Sequence, residues 1–126
     1  MYAFQAIQTA LSALAKTNGW PLEPGIYDGD KTTYVTYNEA DNRAAEFGDS
    51  NALERVVSLQ IHYFMPMYKT NTLKKQSYMI ALNSIRDALV VGGFSYPEVT
   101  IRAETDADPA ANVWHIIFEC EYTETV

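Results

Sequence analysis

Residues 53–65 alternate with a regularity that leaves one reading. Val57, Leu59, Ile61, Tyr63 and Met65 hold every second position, with Ser58, Gln60 and His62 between them. Successive strand side chains point to opposite faces, so this segment is a strand with one apolar row and one mixed row. Pro66 ends it, because proline cannot donate to a ladder. The apolar row must be covered by another layer of the same chain.

Two segments have the periodicity to supply that layer. Over residues 2–17, Phe4, Ile7, Leu11 and Leu14 recur at helical spacing, with Ala3, Ala6, Ala10 and Ala13 permitting close approach. Asn18-Gly19 is the stop signal. Over 72–91, Tyr78, Leu82, Ile85 and Leu89 form the stripe, Asn71 or Thr72 caps the start, and Gly92-Gly93 closes the helix.

Further strands are expected at 32–39, where Thr33, Val35 and Tyr37 oppose Tyr34, Thr36 and Asn38, and at about 96–104 and 112–123. Trp20 to Lys31, with Pro21, Pro24, Gly25 and Gly29, reads as a connector pinned by Trp20 and Ile26. Ala40 to Asn51 reads as a long polar hairpin connection, of which Ala44 to Phe47 could extend a strand. The order α-β-β-α-β-β predicts one α+β domain over 1–126. It is a two-layer sandwich with an antiparallel, or mixed, sheet of about four strands and two helices on one face.

Charge narrows the function. Nine basic and sixteen acidic side chains give a net charge of −7, which disfavours gripping nucleic acid. After Arg102 there is no Lys or Arg, but there are six carboxylates: Glu104, Asp106, Asp108, Glu119, Glu121 and Glu124. The basic cluster is Lys69, Lys74 and Lys75. Such asymmetry is usually a solvated face, but in a ring it can pair one copy's acidic edge with the next copy's basic edge. No apolar run reaches membrane-spanning length, and the expectation is a soluble protein.

Catalytic signatures are missing. Cys120 is the sole cysteine and reads as a buried strand residue. His62 and His115, both on mixed strand rows, read as solvated or interfacial side chains rather than ligands. The loop carboxylates Glu39, Asp41, Glu46 and Asp49 lack the spacing of a calcium loop. No enzyme, metal or cofactor is expected. What stands out instead is nine tyrosines, several alternating onto both faces of their strands. Aromatic residues on both sides of a sheet imply that a second surface covers the second face.

The stretch from Tyr34 to Phe94 carries a resemblance. Tyr34-Val35-Thr36-Tyr37-Asn38 leads to a polar loop ending Phe47-Gly48-Asp49. The strand Val57-Ser58-Leu59-Gln60-Ile61-His62-Tyr63-Phe64 follows, then a linker with Lys69 and Asn71, then a helix ending Ala88-Leu89 before Gly92-Gly93-Phe94. This order resembles the small tail-completion (tail terminator) proteins of long-tailed bacteriophages and prophages. Members often carry a tryptophan near the end of the central strand, where this chain has Tyr63-Phe64.

The resemblance implies an α+β subunit, without an active site, that forms a ring, commonly a hexamer. That ring caps the tail tube at the head-proximal end of the virion, after assembly in the host cytoplasm, and meets head-connector proteins. DNA passes through such a ring without sequence-specific binding. A ring closes through unlike patches on neighbouring copies. Tyr34, Thr36, Arg43, Phe47 and Asp49 are the candidates for one patch, and Lys69, Lys74 and Lys75 for the other. Competing expectations are a head-completion or minor capsid protein, and a small ligand-binding or enzymatic domain.

Overall fold

The computed structural model describes residues 1–48, 51–67, 72–105 and 112–125, with side chains described for all of these except 42–48, 51–53 and 72–77. Seven elements follow in the order α1 (Ala3–Asn18), β1 (Leu22–Pro24), β2 (Tyr34–Gly48), β3 (Asn51–Pro66), α2 (Thr72–Val91), β4 (Glu98–Glu104) and β5 (Val113–Thr125). The strands form one mixed sheet in the order β1-β2-β3-β5-β4. Only β1 runs parallel to its neighbour; the other three pairings are antiparallel.

The fold is therefore α+β with two helices, and the sheet has a fifth strand that the sequence did not reveal. Leu22–Pro24 lies in the expected connector. Val35 N donates to Pro21 O at 2.8 Å and Gly25 N to Tyr37 O at 2.8 Å, fastening it along the edge of β2. Three residues are too few to display alternation, and a proline is tolerated there because the strand lies at the sheet edge. Trp20 does pin this segment, its ring 5.0 Å from that of Tyr63. Ile26 does not, being 87% exposed.

The expected connection over Ala40–Asn51 is almost entirely strand. β2 runs on to Gly48 and β3 begins at Asn51, with pairs from Asp41↔Ser58 to Gly48↔Asn51. Ala40 is passed over between Glu39↔Leu59 and Asp41↔Ser58, a bulge that gives β2 one extra residue. Its sequence lacks the apolar/polar alternation of a half-buried strand and so resembles a loop.

Both helices pack on the row that β3 presents. Ala6, Ile7 and Leu11 from α1, and Leu82, Ile85 and Leu89 from α2, meet Val35, Leu59, Ile61, Ile116 and Phe118 in one buried cluster. Small residues set the helix spacing. A Cβ on Gly92 would lie 2.7 Å from Ala10 Cβ, closer than real methyl groups come.

Each end of α1 is closed by a specific contact. At the N-terminus, Ala3 N donates to Glu124 Oε2 at 2.8 Å, and that carboxylate is 8% exposed. A buried anion at this end satisfies an orphan N–H and faces the positive pole of the helix. Gly19, at φ +70°, ends the helix, and Trp20 N reaches back to Ala15 O at 2.9 Å. Glu124 is thus a structural carboxylate rather than part of a solvated acidic edge.

Two substitutions test these contacts. Glu124→Ala is expected to cost about 1–2 kcal/mol in denaturant unfolding, the usual range for a lost cap. Gly92→Ala is expected to cost about 1–3 kcal/mol, because the helices must part to admit the methyl group. A neutral result in either case places the stabilisation elsewhere.

Candidate functional site

The helix-free face of the sheet carries the most chemically distinctive group of side chains. Registers across four strands align them in three rows. Tyr34, Phe64, His115 and Arg102 form the first; Thr36, His62, Ile117 and Thr100 the second; Asn38, Gln60, Glu119 and Glu98 the third. Cross-strand neighbours on one face of a sheet lie close enough for their side chains to interact directly.

The first row is an aromatic ladder. Tyr27 packs on Tyr34 with ring centroids 4.8 Å apart, Tyr34 stacks on Phe64 at 4.8 Å, and Phe64 stacks on His115 at 4.2 Å. Burial raises the Tyr34 hydroxyl pKa, with Glu104 and Tyr27 adding to the effect. This ladder realises the second aromatic face expected from the alternation of Tyr34 and Tyr37. Tyr37 and Tyr63, by contrast, belong to the helix-covered core.

Running diagonally from the ladder is a polar chain. His62 Nδ1 lies 2.8 Å from His115 Nε2, and His62 Nε2 lies 2.9 Å from Asn38 Oδ1. Asn38 Nδ2 donates onward to Gln60 Oε1 at 3.3 Å. At the other end His115 Nδ1 sits 3.1 Å from Glu104 Oε1. That approach is off the hydrogen-bonding direction, so Nδ1 is contacted by charge rather than bonded. The pKa of His62 lies below the usual imidazole value, chiefly through burial, then through the charges of His115 and Arg102, with Glu104 opposing.

The two histidines were expected as solvated or interfacial side chains. Instead they bond to each other, with His62 half-buried and His115 9% exposed. Fifty-three residues separate them. The register that joins them depends on both β3 partners, and spacing along the chain carries no sign of it. Among the described residues, no group of three or more His, Cys, Asp or Glu is placed to hold a metal ion.

The eight expected interface residues fall into distinct places. Tyr34 is half-buried within the ladder. Thr36 is 5% exposed, so its side chain offers a partner almost nothing; its neighbours in the sheet cover it. Arg43 and Phe47 lie on β2 beyond the bulge, paired by backbone with Val56 and Ala52. Lys74 and Lys75 lie in the first turns of α2, near the opposite end of β3. Asp49 and Lys69 fall outside the described residues, as does Asn71 as a cap for α2.

A groove of about 440 Å³ runs between the end of α1 and α2, lined by residues including Trp20, Lys31, Thr33, Tyr63, Ala81 and Ser84. Among the described residues, Lys31 is the one charged side chain in its lining. Cys120 is buried, and burial pushes its thiol up to about 12, with Glu121 adding to the effect.

No family model matches the chain, and no curated protein matches it.

Two measurements probe this face and the buried thiol. Phe64→Ala should lower stability by about 1–3 kcal/mol, below the range for a fully buried phenylalanine because Phe64 is half-exposed. Cys120 should resist a thiol reagent at neutral pH until denaturant is added, since the thiolate is the reactive form. Rapid labelling of the native protein would contradict this burial.

Proposed function

We propose that this chain is a structural subunit that assembles with copies of itself into a ring. It acts as a tail-completion (tail terminator) protein capping the tail tube of a long-tailed phage and meeting the head connector. The observation that carries the reading is a one-sided sheet with unfinished edges. Both helices cover one face, and an aromatic ladder occupies the other. Along β4 every residue except Val99 is exposed. Among the described residues, no strand pairs with the outer edge of β4, and β1 covers β2 only from Val35 to Tyr37. Open strand edges are templates for pairing with another chain.

Charge distribution supports a heterologous contact. Lys74 and Lys75 occupy the first turns of α2, at the positive pole of the helix, where no acidic residue accompanies them. Exposed Glu98 and Glu119, with Glu121 beyond them, lie on the helix-free face of β4 and β5. Opposite charges on two different patches suit a contact that repeats around a ring.

Light scattering over a concentration series tests the proposal. A discrete assembly with a mass close to a whole multiple of 14.2 kDa is expected, six copies being the value the resemblance implies. A strict monomer, alone and after mixing with a tail-tube protein, would count decisively against it. Lys74→Glu with Lys75→Glu should weaken assembly at low salt by roughly tenfold or more, as two reversed charges oppose the contact. Unchanged assembly would remove both lysines from the interface.

A further inference from the structure

The orientations of the Asn38 and Gln60 amides set one arrangement of protons along the polar chain of the helix-free face. Asn38 Nδ2 donates to Gln60, so its Oδ1 faces His62 Nε2. An amide oxygen only accepts, so His62 Nε2 carries a hydrogen. Neutral His62 then presents a bare Nδ1, which accepts from His115 across 2.8 Å, and His115 Nε2 must carry the hydrogen. That leaves Nδ1 of neutral His115 without a hydrogen, its lone pair beside the Glu104 carboxylate at 3.1 Å. A proton added at this atom turns a repulsive contact into an attractive one and disturbs nothing else. A second proton has only His62 Nδ1 to bind, and there it sets two N–H groups against each other.

We propose that His62 and His115 form one coupled proton acceptor that fastens β3 to β5 while it holds no more than one extra proton, and that a second proton breaks the fastening and loosens the helix-free face. The charged groups around it favour this order. The Glu104 carboxylate of β4 lies beside the pair as its counter-charge, and Arg102, beside His115 in the register, opposes a second positive charge. Burial raises the pKa of the Tyr34 hydroxyl of β2, which packs beside Tyr27, and the helices lie on the other side of the sheet. Because Phe64 stacks on His115 and Tyr34 at once, displacement of His115 is transmitted along the ladder to β2.

The sign of the pH effect follows from the protons bound. Folding lowers the His62 pKa below 6.5, so just below that pH the unfolded chain binds more protons than the folded one. The contribution is complete above 6.5 and is lost as pH falls from there to the folded value.

Nitrogen–proton correlation spectra of both histidine rings in the full chain, from about pH 8 to about pH 4.5, test the assignment directly. The proposal requires the Nε2–H form of His62 at neutral pH and two titration steps at least about one pH unit apart. Coincident steps, or an Nδ1–H form of His62, would overturn it. His62→Gln supplies a second test, through stability measured over the same range. The unfolding constant of the unsubstituted protein should rise with acid more steeply than that of the variant, by up to about tenfold per pH unit within the window. Parallel profiles would overturn the proposal. Backbone amide exchange in the Thr36–His62–Ile117 row should quicken at the second titration step, and exchange that does not change there would equally refute the loosening.

Discussion

Strand β3 hydrogen-bonds to β2 on one side and to β5 on the other, and nearly every other feature takes its position from that double pairing. The register Tyr37↔Ile61↔Phe118 puts three apolar side chains on the helix side, and Thr36↔His62↔Ile117 puts the next three on the other. A slip of one residue in either ladder would exchange the two faces. The helices would then meet histidine and glutamine, and the core would open to water. Burial of Leu59, Ile61, Ile116 and Phe118 stabilises the register, and the register builds the polar chain on the far side.

The two faces are accordingly unequal in kind. One is a conventional core in which side-chain volume decides fitness, as the close approach of Gly92 to Ala10 illustrates. The other is held by directional contacts: stacked rings, an imidazole pair and an amide chain. Directional contacts specify geometry more tightly than they add stability, because each hydrogen bond replaces one made to water.

How much of this was legible in the sequence follows from the range of each signal. The second helix, residues 72–91, and the central strand were readable because their periodicity is local and sustained. Cys120 was readable as a buried strand residue for the same reason. The short edge strand Leu22–Pro24 escaped, since three residues cannot show a period. The polar hairpin beyond Ala40 was read as a connection, because its sequence does not alternate. The histidine pair and the Glu124 cap were invisible for another reason: each joins residues that only the assembled sheet brings together. Tyr34 was legible as a second-face aromatic, whereas the burial of Thr36 depends on neighbours that sequence does not supply.

The contact between Ala3 and Glu124 spans 121 residues. An isolated helix of sixteen residues is marginal in water, and this one lacks an acidic residue in its first turn. While the chain is being synthesised, α1 therefore emerges without the carboxylate that completes its N-terminus. Of the two helices, α1 is the one whose N-terminal partner lies in the strand farthest from it along the chain, so that contact can form only after β5 has been made.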